Sequence, residues 1–555
     1  MHTPNPPQGR FTSHRQSQAW RGQWLLLATG LGLFAGLLPV ASAASKSVEE
    51  IRALRKEVSK RPRQLVMHAD GRPMDPSLDQ LEPNAPPLVF PHLPGTAVRA
   101  LTYSLIHQFN VSRLYRSKVA QEWPAGYVKK LYGEGPDGLQ IYTDFCRKHG
   151  FEAWFTMRAN DTHDYSDDAH GRMRWDSNPF KQNHPELLHG TREKKPPLGR
   201  WSAVDYAQAK VRDQIFLMLQ EVCQNYDIDG VQLDFIRHLN ILKSVAWGSV
   251  APAAEVEMIT DLMRRLRQMM DEEGARRGKP ILFCVRTPDS VEYAKATGLD
   301  VKTWMQEGLI DVWAVGGYFE LQDLAASVRV ARQHGCQIWA TMDSSRTTLK
   351  SADATTRENW SRTGVNTIEG YRGRAMTAWR AGVDSIDLFN FFVVPNEPHF
   401  GLLNEVHDPK KLAWQDKLYV PDPLGPGRGS GPGRWLKDGE RFFKRPLFDP
   451  TPLAPQQIKT VHIKVADDVS KAESNGRKAH VSLEVIAPGV AASPQLTVRL
   501  NDKLLKPTGA GLSYEIDPST VKIGDNILTL TPQAGIAEKS VLEDLRLWIR
   551  YKAAR

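Results

Sequence analysis

The chain has 555 residues, 41% of them hydrophobic and 24% charged, and a net charge of +9. That balance excludes a disordered, collagen-like or coiled-coil chain and suits a large α/β barrel with a small extra module. Four cysteines, Cys146, Cys223, Cys284 and Cys336, are too few for a disulfide scaffold and sit in apolar patterns, as buried free thiols do.

The first 23 residues carry Arg10, Arg15 and Arg21 and no acid. A nearly unbroken apolar run, Leu25–Val40, leads to Ala41-Ser42-Ala43. Basic region, apolar region and small-x-small site together read as a secretory signal cleaved near Ala43, so residues 1–43 are expected to leave an exported, periplasmic or extracellular chain. The rival reading is an uncleaved anchor, although the run is short of the roughly 20 residues that span a bilayer. No integral membrane span is expected after signal removal. The remaining charge of +6 is a weak field, and no basic block is interleaved with aromatics, so nucleic-acid binding is not expected.

Residues 44–62 read as a helical lead-in, and 63–414 as one domain. Eight short apolar runs follow one another there: Gln64–Ala69, Val98–Ser104, Glu152–Arg158, Gly230–Phe235, Ile281–Arg286, Val312–Tyr318, Ile338–Met342 and Ser385–Phe391. Between most of them lie segments of helical period. Asp205–Tyr226 presents Val211, Ile215, Met218, Leu219 and Val222 on one face, with Asp205 as its expected N-cap. Glu255–Glu273, Leu321–His334 and Ile368–Ala381 behave alike, and Gly274, Gly335 and Gly382 are expected just past helix ends. Strands buried on both faces, each followed by a helix, predict a (β/α)8 TIM barrel. An open doubly wound sheet is the rival fold, but no Gly-rich phosphate turn follows the first strand.

Residues 421–433 hold five Gly and four Pro, so 415–455 reads as a linker. From 456 to 555 the period becomes two, as in Val481/Leu483/Val485 and Leu545/Leu547/Ile549, which predicts a small β-sandwich. Trp548 falls opposite the second of these faces, a hint of an exposed ring.

Active sites of such barrels lie at the C-terminal strand ends. Those ends here carry Asp70, then Arg158, Asn160, Asp161, His163 and Asp164, then Asp234 and Arg237, then Glu320, Asp343 and Asn390. Carboxylates on one rim, mixed with Arg, His and Asn, can protonate a leaving oxygen, attack or activate water, and hold sugar hydroxyls. Strand alternation puts Gln232 and Asp234 on one face, with Arg237 near enough in sequence to pair with Asp234. The bland alternative is that Asp234 only caps or pairs. Asp161, His163 and Asp164 are possible metal ligands, but no matching spacing occurs elsewhere, so neither metal nor cofactor is expected. The long segment from Tyr165 to Val204 offers Trp175 and Trp201 as rings that could stack on sugars.

Residues 63–400 resemble the family-10-glycosylhydrolase-like barrel family, exported bacterial proteins that carry a C-terminal β-sandwich. The resemblance rests on Met157–Asp164, Tyr226–His238 and Arg374–Phe392 and covers roughly 60% of the chain. It implies a TIM barrel, a carbohydrate ligand and hydrolysis of O-glycosidic bonds by paired carboxylates. Retaining barrel glycosidases with the acid/base after strand four and the nucleophile after strand seven would place these roles at Asp234 and Asp343. Those with a strand-four nucleophile and a strand-six acid would use Asp234 and Glu320. Asp161 is a further candidate, and a barrel that binds carbohydrate without catalysis is the alternative.

Overall fold

The computed structural model describes residues 46–553 apart from 70–92, 107–108, 113, 123–124, 166–177, 237, 318, 344–365, 392–396, 422–430, 446–447, 449–450, 492–494, 510 and 538. Residues 1–43, the expected signal, therefore lie outside it. No helix among the described residues is long and apolar enough to cross a membrane.

The eight expected runs are eight strands: β1 (Leu65–Ala69), β2 (Ala100–Ile106), β3 (Glu152–Arg158), β4 (Gly230–Asp234), β5 (Leu282–Thr287), β6 (Val312–Val315), β7 (Gln337–Asp343) and β8 (Ser385–Phe389). Each pairs in parallel with the next, and β8 pairs back onto β1, so the barrel is closed. Alternation sends every second residue inward. The lower inward layers are apolar: Val66, Ala100, Trp154, Leu282, Val312 and Trp339 form one buried cluster. The Trp154 and Trp339 rings meet edge to face at 5.2 Å. Gly230 is required beside them, because a Cβ there would run into the Trp154 ring. Arg63 closes the N-terminal end, donating to Glu152 at 2.9 Å.

The outer faces of the strands are covered by α2 (Gly138–His149), α3 (Ala209–Asn225), α4 (Ala253–Arg277), α5 (Leu324–Gln333) and α6 (Ile368–Ala381), while α1 (Val48–Ser59) packs on α4 and sets Val58 against the lower cluster of the barrel. The expected face of α3 is buried as read, but its N-cap is Gln208. Asp205 instead accepts the backbone N–H groups of Ala207 and Lys243 at 3.2 and 3.1 Å. Gly274 is also not a terminator. It lies inside α4, where a Cβ would press on Ile51 of α1, and the left-handed stop is Gly278 at φ 69°. Gly335 and Gly382 have φ 67° and 91°, as expected of glycines just past helix ends.

Beyond the barrel stand two antiparallel four-stranded sheets. One runs β9 (Lys417–Tyr419), β16 (Asp544–Ala553), β11 (Arg477–Ile486), β14 (Ser513–Ile516). The other runs β10 (Lys459–Val465), β15 (Gly524–Pro532), β12 (Leu496–Leu500), β13 (Lys503–Leu504). Their alternate apolar residues, among them Ile463, Leu483, Leu500, Leu528 and Leu547, form a separate core. Strand β9 comes from the segment expected as a linker. Gly373 of α6 lets it approach, since a Cβ there would strike the Leu418 carbonyl. The far end of that segment packs on the barrel mouth: Asn240 and Tyr293 donate to the carbonyls of Trp435 and Pro432 at 3.0 and 2.8 Å. All four cysteines are free and buried.

Candidate active site

Parallel register aligns Arg158, Asp234 and Arg286 across the C-terminal ends of β3, β4 and β5. The layer below them is Thr156, Gln232 and Cys284, joined by bonds from Thr156 to Gln232 at 3.1 Å and from Gln232 to Cys284 at 3.4 Å. Asp234 is 1% exposed. Its Oδ2 lies 3.1 Å from Arg286 Nη1, and its Oδ1 accepts the Ile236 N–H at 3.0 Å. Arg237, the expected partner, lies outside the described residues. The partner found is 52 residues away in sequence and adjacent in register.

Arg286 also lies 4.0 Å over the ring of Phe389 on β8, so it reaches across the mouth. Phe389 in turn meets the His68 ring edge to face at 4.6 Å. His68 Nδ1 is 3.7 Å from Asp387 Oδ2, both side chains being fully buried, and Thr341 donates to Asp387 at 2.8 Å. Both ring nitrogens of His68, Thr102 Oγ1 and Asp387 Oδ1 are buried without a hydrogen-bond partner among the described residues. Buried polar atoms are seldom left so, and here they cluster under the mouth of a barrel. His68 falls at the end of the first apolar run, whereas Asp387 escapes a reading of strand tips because it stands one layer below its own. Their signal is parity: each shares the inward face with a residue of the rim.

A second cluster follows β3. Arg158 Nη1 holds Asp161 Oδ2 at 2.7 Å, and His163 Nδ1 lies 2.8 and 2.9 Å from the two Asp161 oxygens. Burial alone would raise the Asp161 carboxyl, but the charges of His163 and Arg158 outweigh it and hold the group well below the usual carboxylate range. The His163 ring sits 4.9 Å from that of His238. Ligand atoms of Asp161, His163 and His238 lie within 4.8 Å of one another, close enough to share a cation. Several of these atoms already have neighbours of their own. Arg158 occupies Asp161, the Thr162 N–H donates to His238 Nδ1 at 3.2 Å, and Arg200 Nη1 is 3.5 Å from His238 Nε2. Two guanidinium groups already supply the positive charge that a cation would bring.

Several sequence candidates turn out to hold the scaffold. Asn160 is fully buried and spends its amide on the carbonyls of Val204 and Asn240, at 2.9 and 2.7 Å, and its oxygen on the Val204 N–H at 3.0 Å. It has no group left for a sugar. Asp164 is paired with Lys181 at 2.8 Å, both side chains fully buried, and takes a further bond from Ser202. Burial raises its carboxyl in spite of that lysine. Trp201 is 4% exposed and its indole donates to the Tyr165 carbonyl at 3.2 Å, so it anchors the loop and presents no stacking face. Asn390 turns the chain out of β8 at φ 52°, its N–H donating to the His68 carbonyl at 2.8 Å.

Glu320 sits on the outer rim, half exposed and ion-paired with Arg445 at 2.7 Å. Asp343 ends β7 in register with Phe389. Its side chain, with Asp70 and Trp175, lies outside the described residues. Near Glu320, burial and the Glu320 charge push Asp289 up to about 7 against the pull of backbone N–H groups. Those donors are Leu321 and Gln322 at 3.0 Å, so Asp289 latches the loop after β6. On the sandwich, Trp548 is half-buried beneath the Arg550 guanidinium at 4.4 Å.

No family model matches the chain, and no curated relative matches it. Solved structures similar to it include a GH36 alpha-galactosidase of Geobacillus stearothermophilus, 10% identical at TM-score 0.33 over 85% of this chain and 56% of that one. The chitinase ChiW of Paenibacillus sp. FPU-7 is 9% identical at TM-score 0.36, over 87% and 54%. An alpha-galactosidase of Lactobacillus brevis is 10% identical at TM-score 0.35, over 87% and 58%. The chain spans little more than half the length of each. The barrel stands on its own register, and likenesses this distant add nothing to it.

Proposed function

We propose that the chain is an exported glycoside hydrolase acting on a poly- or oligosaccharide, with Asp234 as a catalytic carboxylate. The observation that carries this is the buried row Arg158–Asp234–Arg286 at the barrel mouth, set above unpartnered polar atoms of His68, Thr102 and Asp387. A carboxylate fixed from one side by Arg286 and Ile236 is pre-oriented to face a developing oxocarbenium carbon. Asp343, at the tip of β7, is our choice for the second carboxylate, which would give its proton to the leaving oxygen as the C–O bond breaks. Asp161 suits that acid role poorly because its neighbours keep it ionised. It orients His163 instead, whose side chain is 28% exposed. Arg158 and the floor groups are left to bind sugar hydroxyls. Export rests on the N-terminal basic, apolar and small-x-small order.

The test is hydrolysis of a broad panel of bacterial, algal and plant glycans, read at the reducing end. Release by wild type should fall by at least about 1,000-fold in Asp234→Asn. Activity within a few-fold of wild type would remove Asp234 from the chemistry. A non-catalytic glycan-binding barrel is the second reading, favoured by the complete pairing of Asp161 and Asp234. Glycan affinity that survives Asp234→Asn, with no product from any glycan, would establish it.

A further inference from the structure

Away from the mouth, the seam between barrel and sandwich holds a cleft of about 480 Å3. Its walls carry Arg372 of α6, Lys410 and Lys411 of the short helix Pro409–Leu412, Arg477 at the start of β11, and the rings of Trp414 and Tyr551. The rings meet edge to face at 5.3 Å. Asp416 is the one carboxylate lining it among the described residues, and its Oδ1 already accepts the Tyr551 N–H at 2.9 Å.

The four cations are unevenly compensated. Arg372 is forked onto Glu405 at 2.8 and 3.2 Å. Lys411 Nζ donates to the Asn404 carbonyl at 3.1 Å, an uncharged partner. Lys410 and Arg477 form no ion pair among the described residues. Below the floor Lys417, fully buried, is matched by Asp467 at 3.2 Å and adds no free charge. Against Lys410, Lys411 and Arg477 the cleft sets one carboxylate, Asp416, so its wall keeps an excess of positive charge. Like charges on a surface normally spread into water, where their repulsion is screened. Gathered in a cleft, they focus a positive field on whatever enters. The volume suits a sugar-sized group, and the Trp414–Tyr551 pair offers an aromatic edge for its C–H face.

We propose that this cleft is a secondary binding site for the acid groups, carboxylate or sulfate, of an anionic glycan. The inference rests on the carbohydrate reading of the mouth and adds the charge of the substrate. Lys410, Lys411 and Arg477 would each donate to an oxyanion, and the ring behind that group would rest against Trp414. The catalytic mouth and the cleft would then engage separate stretches of one chain, which raises the effective concentration of the first once the second is held.

Titration calorimetry of the full chain at physiological ionic strength tests this, with polygalacturonate as the anionic probe, galactan as the neutral one and inorganic sulfate as a competitor. Wild type should bind polygalacturonate in preference to galactan. The triple variant Lys410→Gln/Lys411→Gln/Arg477→Gln should lose at least about tenfold in affinity. The charge-keeping variant Lys410→Arg/Lys411→Arg/Arg477→Lys should retain it. Wild type that ignores polygalacturonate, a glutamine variant that binds it undiminished, or a cleft that sulfate fills without displacing the polymer would each overturn the proposal. Hydrolysis of a neutral glycan that depends on Asp234, beside an unaltered triple variant, would overturn the cleft alone. Loss of polyuronate binding in the triple variant, beside no Asp234-dependent hydrolysis, would overturn the mouth alone.

Discussion

Replacing Arg286 with methionine removes a buried cation of similar length and leaves the Asp234 carboxylate in place. The two groups are 3.1 Å apart and each about 1% exposed. At an effective dielectric constant of about 20, opposite charges at that separation attract by about 5 kcal/mol. Desolvation of the two ions offsets most of this in the intact pair, so the pair itself adds little net stability. The single variant is different, because the desolvation of Asp234 remains and its compensation is gone. The expected loss is about 3–5 kcal/mol. Adding Asp234→Asn to Arg286→Met should return most of it, giving a coupling energy of about 2–4 kcal/mol in the double-mutant cycle. Urea unfolding of the four proteins, followed by tryptophan fluorescence, measures all corners. A cost below about 1 kcal/mol for Arg286→Met, or a coupling near zero, would show that Asp234 is not held by this arginine and would undo the case for a pre-oriented carboxylate.

Lys181→Met should destabilise the fold by about 3 kcal/mol, because it strands the buried Asp164 carboxylate and releases the Asp161 carbonyl that Lys181 also holds at 2.8 Å. Denaturant midpoints beside those of Lys181→Arg check it. Gly230→Ala should cost about 1–3 kcal/mol by driving a methyl into the Trp154 ring, read as a lower melting temperature with Trp154 fluorescence altered. Asp289 carries a carboxyl raised to about 7, so its contribution to stability is full below the unfolded value of about 4 and is lost as pH rises to about 7. Glu320→Gln removes a charge that raises it, so this decline should end at lower pH, and stability measured from pH 4 to 8 shows whether it does.

The eight strands could be read because each is short, apolar on both faces and closed by polar residues, a pattern that buried parallel strands impose locally. The partners within the site could not. Arg286 meets Asp234 through register between neighbouring strands, and no spacing along the chain announces it. His68 and Asp387 stand inside the barrel, where a histidine in an apolar run looks like any core residue. Asn160 and Asp164 have the right type and position for a rim, but the loop from 178 to 206 folds back and, with the Asn240 carbonyl, consumes their hydrogen bonds. Gly274 looked like a helix stop because a glycine near a helix end is usually one, and the close approach of α1 that explains it is tertiary.

The lower end of the barrel is shut by the Trp154 and Trp339 rings and by the Arg63–Glu152 bridge. Among the described residues, that end offers no passage to the Asp234 row. On the glycosidase reading we propose, a glycan would then enter and leave by the same mouth, and a long polymer would present itself from the side instead of threading through.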